Sequence, residues 1–296
     1  MNRLVSTRPP GVFYVDWWLM NHCSWHCQYC ADIIRNGSVD LIDLDSAIYT
    51  VNDIAQWARS SGYKTEWYLT GGEVTEWALL PQLLESIVAS RGQVGLRTNA
   101  NCSMDLWNQL MTLLDSVNME FHSEYSSTAH FIMRLHAARR AGVRVTATVS
   151  MLPDRWEELE DMIARIERQW PDQTVHRRML FEDPAVNRQP MQYTDMQQLK
   201  LKRQSGPLLW TSSDGQAEYT DYQTLILEGK NQFRTQPCRV GLEQLIIDAW
   251  GRVYRSHCRV GGKIGQLGTA IVWPAKPVSC PRESCGNGFD VMATKG

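Results

Sequence analysis

Short apolar runs alternate with amphipathic segments over residues 12–180. The runs are rich in β-branched and aromatic residues, as buried strands are, and the segments between them repeat apolar residues with helical spacing. The predicted strands are Val12–Met20, Glu66–Thr70, Val94–Thr98, Val117–Phe121, Val143–Met151 and Thr174–Leu180. The predicted helices are Asp45–Ser60, Trp77–Ser90, Met104–Leu114, Ala129–Arg140 and Trp156–Arg168.

Strands that alternate with helices of this length predict parallel βαβ units in an α/β fold. Right-handed crossovers leave two arrangements, an open doubly wound sheet and a curved partial barrel. The periodicity of the sequence does not separate them.

The pattern changes after the sixth predicted strand. Residues 184–216 are polar and lack a clean period, which predicts a linker with one short helix at 195–203. Residues 242–253 predict a hairpin, because two apolar runs flank a turn at Trp250–Gly251.

Composition narrows the class of protein. The chain has 296 residues and a formal charge of −2, so no strong positive field favours a long polynucleotide as partner. No run of eighteen apolar residues predicts a membrane span, and the first ten residues lack the apolar core of a secretory signal. We therefore expect a cytoplasmic protein whose eight cysteines serve as metal ligands or free thiols rather than disulfides.

Three of those cysteines, Cys23, Cys27 and Cys30, lie within eight residues directly after the first predicted strand. Three thiolates at this spacing can hold an iron–sulfur cubane and leave one iron open for another ligand. The alternative is a zinc site that His22 or His26 would close as the fourth ligand.

This loop resembles the signature of the radical S-adenosylmethionine (SAM) enzymes, Cys-x3-Cys-x2-Cys with an aromatic residue before the third cysteine. Tyr29 fills the aromatic position, and Gly71-Gly72-Glu73, about forty residues on, resembles the GGE motif of the family. The resemblance implies a partial (β/α)6 TIM-like barrel and a [4Fe–4S] cluster whose open iron binds SAM. It also implies reductive cleavage of SAM to a 5′-deoxyadenosyl radical that takes a hydrogen atom from a substrate.

The same resemblance assigns SAM contacts to residues at the ends of strands. Glu73 has a helix-capping role as its alternative, and Asn99 a turn-forming role. The expected SAM-contacting residues are Tyr29, Gly71, Gly72, Glu73, Thr98, Asn99, Ser123 and Glu124.

A second group of cysteines occupies the last sixty residues. It consists of Cys238, Cys258, Cys280 and Cys285. Four thiolates in a compact segment predict either a structural zinc site or a fully ligated [4Fe–4S] cluster. Cys102 is left over, and we interpret it as a buried thiol.

Cys238, Gly251 and Cys258, with Ile264–Leu267 after them, resemble the opening of the SPASM and twitch extensions of radical SAM enzymes. Two features depart from that pattern. Six residues separate Gly251 from Cys258 where four are usual, and only two cysteines follow. The resemblance therefore implies a twitch domain with one auxiliary cluster.

These interpretations divide the chain into three parts. Residues 1–183 would form the barrel, residues 184–232 a linker or barrel-closing segment, and residues 233–296 a small β-hairpin twitch domain.

Several arginines lie on predicted strands, and an inward guanidinium suits a carboxylate or phosphate on the substrate. Because strand residues alternate between faces, either Arg177 or the pair His176 and Arg178 points inward. The candidate substrate residues are Arg97, Arg144, Arg177 and Arg178. We assign no catalytic side chain.

We expect a radical SAM enzyme with two [4Fe–4S] clusters that oxidises or rearranges an anionic metabolite or nucleotide-like substrate. Its electron donor would be a flavodoxin or ferredoxin, and no membrane partner is expected. One alternative is a radical SAM enzyme that modifies a peptide or protein. The other is a non-catalytic zinc or iron–sulfur protein.

Overall fold

A computed structural model of the chain describes residues 3–182, 189–202 and 206–296. Its fourteen strands are β1 (Arg3–Ser6), β2 (Val12–Trp18), β3 (Lys64–Thr70), β4 (Gln93–Thr98), β5 (Ser116–Phe121), β6 (Arg144–Ser150), β7 (Val175–Arg178), β8 (Leu208–Thr211), β9 (Ala217–Thr220), β10 (Pro237–Cys238), β11 (Gln244–Ile247), β12 (Arg252–Tyr254), β13 (Lys263–Gln266) and β14 (Val278–Ser279). Its helices are α1 (Leu44–Ser60), α2 (Leu80–Ala89), α3 (Met104–Met111), α4 (Thr128–Arg140), α5 (Trp156–Gln169), α6 (Asp195–Leu201), α7 (Tyr222–Leu227) and α8 (Gly288–Val291).

The predicted alternation is confirmed, with shifted boundaries. α2 begins at Leu80 rather than at Trp77, because a 3-10 turn, Val74–Glu76, precedes it and Pro81 occupies its first turn. Proline is tolerated there, where its missing N–H would have no partner within the helix. Asp43 and Ser103 cap α1 and α3 by accepting hydrogen bonds from backbone N–H groups.

The parallel strands lie in the order β2-β3-β4-β5-β6-β7. A doubly wound sheet reverses its strand order at a switch point, and this order has no reversal. With right-handed crossovers, the connecting helices then all lie on one face of the sheet. The observed order therefore selects the partial barrel over the open sheet.

The two faces of the parallel sheet differ in polarity. Side chains such as Trp17, Leu69 and Leu96 are buried in the main hydrophobic core, which the helices also line. The alternate positions face the lumen of the barrel, and many of them are polar and buried. They include Asp16, Asn118, Glu120, Thr148 and Ser150. The core thus lies outside the barrel, and the lumen is a polar interior.

The predicted hairpin forms β11 and β12, in which Ile247 pairs with Val253. β11 also pairs in parallel with β2, and β13 follows β12 at the edge, so that the barrel sheet has nine strands. The proposed division at residue 233 therefore separates segments that share one sheet.

The segment predicted to be a linker contains more structure than expected. α6 matches the predicted short helix as far as Leu201, and residues 184–188 and 203–205 lie outside the described part of the chain. β8, however, lies within this segment and pairs with β1 and β9 in a separate antiparallel sheet. The linker prediction was wrong at this strand, because β8 depends on a partner about 200 residues away in sequence and carries little local periodicity.

No helix in the described part of the chain combines the length and the apolar character that a membrane span requires.

Candidate functional site

The loop that carries Cys23, Cys27 and Cys30 lies directly after β2, at the carboxyl end of the parallel strands. Burial raises the pKa of Cys23 and Cys27 to about 12 and also raises that of Cys30. The charge on Cys30 further raises the pKa of the other two thiols, which places the three groups within electrostatic reach of one another. Thiolates at such positions require a nearby cation, as metal ligands do.

Gly71 and Gly72 pack against this cysteine loop at close range. Gly72 N–H donates to the Met20 carbonyl oxygen at 2.8 Å, and Glu73 N–H donates to the His22 carbonyl oxygen at 2.7 Å. A Cβ on Gly72 would lie 1.8 Å from the His22 carbonyl oxygen, and one on Gly71 would lie 2.5 Å from that of Met20. The glycines are therefore required for the approach of one backbone to another.

The Glu73 carboxylate is buried and joins the ends of β3 and β4. Its Oε1 accepts from the Thr75 N–H and hydroxyl and from the Thr98 hydroxyl, and its Oε2 accepts from the Asn99 N–H at 2.8 Å. Burial raises the pKa of Glu73, and these hydrogen bonds act against that increase. The structure shows the capping role, since Glu73 precedes the Val74–Glu76 turn. Because Oε2 accepts only one of these bonds, it retains acceptor capacity for a cationic group.

Two other carboxylates hold the backbone of the cysteine loop. Glu76 accepts from the Ser24 N–H at 3.1 Å and from its hydroxyl at 2.5 Å. Glu124 accepts from the Gln28 N–H at 2.9 Å. Glu124, expected from sequence to contact SAM, thus positions the loop. The neighbouring Ser123 Oγ is buried without a hydrogen-bond partner, so it can bind a ligand hydroxyl.

Tyr29 stacks on His122, with ring centroids 5.9 Å apart and an interplanar angle of 11°. The Tyr29 hydroxyl lies 2.8 Å from His122 Nδ1. Burial lowers the pKa of His122, so the imidazole is neutral at pH 7 and its Nδ1 can accept from the tyrosine. Nearby, Trp25 stacks on Tyr125 beside a cavity of about 100 Å³ that Asn99 also lines.

Below the carboxyl end of the parallel strands, where the cysteine loop lies, a charged cluster occupies the lumen. Glu120 is 2% exposed and contacts Arg178, with its Oε1 also accepting from the Ser150 hydroxyl at 2.8 Å. Burial acts to raise the pKa of Glu120, but Arg178, His122 and Arg97 outweigh it and hold that pKa well below the ordinary value. Arg97 Nε lies 3.9 Å from Glu120 Oε2 and has no hydrogen-bond partner. One guanidinium of this cluster therefore retains donor capacity.

The four candidate substrate arginines do not form one group. Arg97 and Arg178 face the lumen together. Arg177 points to the opposite side and binds Glu160 with two hydrogen bonds of 2.7 and 2.8 Å. Arg144 lies at the amino end of β6, is 67% exposed and pairs with Glu66.

No model of a protein family matches the sequence, and no curated protein matches it significantly. Among solved structures, histidine-tagged anSMEcpe with bound AdoMet (SAM) aligns with a TM-score of 0.58 and 10% identity, over 87% of this chain and 78% of that chain. Native anSMEcpe with AdoMet and the Cp18Cys peptide aligns with a TM-score of 0.54 and 10% identity, over 88% of this chain and 78% of that chain. BtrN with AdoMet and 2-DOIA aligns with a TM-score of 0.42 and 12% identity, over 86% of this chain and 78% of that chain.

The enzyme in the first two of these structures, anSMEcpe, is a radical SAM enzyme. The chain has the radical SAM fold. The similarity agrees with the position of the cysteine loop after the first barrel strand and confirms the fold class expected from the sequence.

Outside the parallel barrel strands of this radical SAM fold, the C-terminal cysteines also come together. Burial raises the pKa of Cys238 and Cys258, and raises that of Cys285 to about 12. The charges of Cys258 and Cys280 act on Cys238, and those of Cys238 and Cys258 act on Cys285. Each of the four thiols thus lies within electrostatic reach of at least two of the others.

Within the described residues, no three His, Cys, Asp or Glu side chains form a group that could hold a metal ion. His22, one of the two histidines that could close a tetrahedral zinc site as the fourth ligand, pairs through Nε2 with Glu76 at 3.2 Å. The donor chemistry of both cysteine groups fits an iron–sulfur cluster.

Sequence reasoning missed the contact that joins the two cysteine regions. His257, next to Cys258, places Nε2 2.5 Å from the Asp16 carboxylate on β2, and both side chains are buried. It also missed Glu120. The polar alternation of Asn118, Glu120 and His122 along β5 was a usable signal for the latter, because these residues share one face of the strand.

Replacing Gly72 with alanine tests the contact between the two loops. We expect Gly72→Ala to lower the free energy of unfolding by about 3 kcal/mol, the upper part of the range for overpacking, because backbone must move to admit the Cβ. Urea unfolding would measure it. Gly142→Ala is the control, since Gly142 has φ +79° but open space around it, and should cost only about 1 kcal/mol. Equal losses of unfolding free energy in Gly72→Ala and Gly142→Ala would contradict the requirement for glycine at this contact.

Replacing Glu120 with glutamine tests the lumen cluster. We expect a loss of about 3 kcal/mol in unfolding free energy at pH 7, because Arg178 loses its counter-charge. The pKa of Glu120 is depressed below its ordinary 4.5, so its contribution is present above that pH and lost as the pH falls through the folded value. The difference in unfolding free energy between Glu120→Gln and the wild type, measured by urea unfolding, should therefore become smaller as the pH is lowered.

Glu158→Gln is the control for this substitution, because Glu158 pairs with Arg155 while 61% exposed. It should cost less than about 1 kcal/mol. A Glu120→Gln variant as stable as this control would contradict the role of the lumen cluster.

Proposed function

We propose that this chain is a radical SAM enzyme that abstracts a hydrogen atom from a substrate held in the polar lumen of the barrel. The observation that carries the proposal is the packing of Gly71-Gly72-Glu73 against the three-cysteine loop at the mouth of a radical SAM fold. A cysteine loop held in this way presents its thiols at the end of the barrel where enzymes with related barrels keep their chemistry.

Cys23, Cys27 and Cys30 would hold the first [4Fe–4S] cluster, and SAM would bind beside it. Glu73 Oε2 can accept from the SAM ammonium, and the unpartnered Ser123 Oγ can bind a ribose hydroxyl. Tyr29, whose hydroxyl is held by His122, would contact the adenine. When bound and reduced, the cluster with SAM supplies a 5′-deoxyadenosyl radical that takes a hydrogen atom from the substrate.

The role of the protein is to position the substrate and exclude water. Arg97 Nε is the donor of the lumen cluster that has no hydrogen-bond partner, and the Arg97 side chain as a whole is 38% exposed. Arg178 is fixed by Glu120, so it presents a preorganised guanidinium rather than a mobile one. This pair supports an anionic substrate, a small metabolite or a nucleotide-like molecule, that leads to oxidation or rearrangement.

The four C-terminal cysteines would hold an auxiliary [4Fe–4S] cluster. With four thiolate ligands no iron is left open, so the cluster would pass electrons rather than bind substrate. The Asp16–His257 contact fixes the Cys258 loop against the barrel strand that leads into the first cysteine loop. A flavodoxin or ferredoxin is the proposed electron donor.

The alternative substrate is a peptide. Native anSMEcpe, whose fold this chain shares, was observed with AdoMet and the Cp18Cys peptide bound. The charged lumen favours the anionic small molecule, because two guanidinium groups, those of Arg97 and Arg178, lie there beside the single carboxylate of Glu120.

Anaerobic reconstitution tests the enzyme proposal. The wild-type chain should bind about eight irons, as two four-iron clusters require, and should release 5′-deoxyadenosine from SAM under dithionite. Replacing Cys23, Cys27 and Cys30 together by alanine should halve the iron and abolish the release. Cys102→Ala is the matched control and should retain both. A colourless zinc protein that leaves SAM intact would support the non-catalytic alternative and end the proposal.

Deuterated candidate substrates test the lumen. Label from an anionic small molecule should appear in 5′-deoxyadenosine, and Arg97→Gln should lower kcat/KM for that substrate about tenfold or more, the loss of a charge-assisted hydrogen bond. Arg144→Gln, at the other end of the barrel, should leave kcat/KM unchanged. Transfer of label from peptides only would favour the alternative substrate.

A further inference from the structure

Lys295 is a buried cation beside the C-terminal cysteines. Its side chain is 1% exposed, and Nζ donates to the carbonyl oxygens of Asp290, Val291 and Ala293 at 2.7, 3.2 and 2.8 Å. Nζ also lies 5.5 Å from the centroid of the Phe233 ring. An ammonium has three N–H donors, and all three are used here. The position of this charge is therefore fixed.

The hydrogen bonds of Lys295 do not neutralise it, because every acceptor is an uncharged carbonyl. Over the described ranges, no carboxylate oxygen lies within ion-pairing distance of Nζ. A buried charge without a counter-charge is costly. A negative group nearby would therefore stabilise the Lys295 cation.

The cysteines are the groups in position to supply that charge. Lys295 forms a backbone bridge with Cys238, the first of the four. Residues paired across an antiparallel bridge have their side chains on the same face, with Cβ atoms roughly 5 Å apart. The Lys295 side chain therefore leaves the backbone on the same face as the Cys238 thiol.

Asp290 places a fixed charge of opposite sign at another side of the same cysteines. It is 2% exposed, and its carboxylate accepts from the N–H groups of His257 and Cys258 at 2.9 and 2.8 Å. The hydrogen bond to the Cys258 N–H places this carboxylate directly beside one of the four cysteines. Lys295 and Asp290, five positions apart in the sequence, are both buried. Their charges therefore act on the cysteine group with opposite sign.

We propose that Lys295 is the built-in counter-charge of the group that Cys238, Cys258, Cys280 and Cys285 hold, and that it sets the reduction potential of that group. This inference rests on the proposed auxiliary [4Fe–4S] cluster. One-electron reduction by dithionite adds one negative charge to a cluster. A fixed cation stabilises the reduced form and raises the potential, whereas Asp290 acts in the opposite direction.

The experiment uses the full chain with Cys23, Cys27 and Cys30 replaced by alanine, so that only the C-terminal centre binds iron. Dithionite titration followed by electron paramagnetic resonance would give its midpoint potential. In this parent, Lys295→Met should shift the reduction equilibrium about tenfold towards the oxidised form, which is about 59 mV for one electron. Lys295→Arg, which keeps the charge, should stay close to the parent.

Asp290→Asn tests the direction of the shift in midpoint potential. A purely structural role of these residues would not make Asp290→Asn and Lys295→Met shift it in opposite directions. This substitution removes a negative charge while keeping the shape, so the midpoint should rise where Lys295→Met lowers it. A midpoint unchanged in Lys295→Met, or shifted in the same direction by both substitutions, would overturn the inference. Neither of these outcomes bears on SAM cleavage by the wild-type enzyme. That activity is a separate test of the proposed function.

Loss of iron would also be decisive. If Lys295→Met and Lys295→Gln bind no iron while Lys295→Arg does, the positive charge is required and the inference stands. If Lys295→Arg also binds none, shape rather than charge is responsible, and the inference fails. A parent that holds no iron would remove the auxiliary cluster from the proposed function and the inference with it.

Discussion

The site depends on the close approach of two backbones. Gly72 and Glu73 donate hydrogen bonds to Met20 and His22, and the absence of a Cβ on Gly72 makes that distance possible. This contact brings the end of β3 onto the cysteine loop that follows β2. Glu73 then extends the connection to β4 through Thr98. Three adjacent strand ends thus share one hydrogen-bonded unit, and the position of the cysteines follows from it.

The lumen of the barrel has a different physical character from the core around it. Larger barrels of eight strands fill their interior with branched apolar side chains, whereas this partial barrel buries Glu120, Ser150 and Asn118 there. Buried polar groups are tolerated when they are paired, and Glu120 is paired with Arg178. The hydrophobic effect therefore stabilises the outer layer, and electrostatics organises the interior.

The sequence predicted what depends on local pattern. Strand and helix periods identified β2 to β7 and their helices, and motif spacing brought Cys23 and Gly72 into one hypothesis. Long-range contacts were not predictable in this way. β1 and β8 are four-residue strands whose pairing joins residues about 200 positions apart, and Lys295 is a single lysine without a motif. The link that Glu73 makes between the ends of β3 and β4 likewise became visible only through its hydrogen bonds.

The pairing of β11 with β2 has a consequence for synthesis on the ribosome. β2 is complete at Trp18, but the strand that covers its free edge begins at Gln244. A nascent chain that has already assembled β2 to β7 would therefore expose an open edge on β2, which is a template for aggregation. Holding this edge apart until β11 emerges is a task suited to a chaperone.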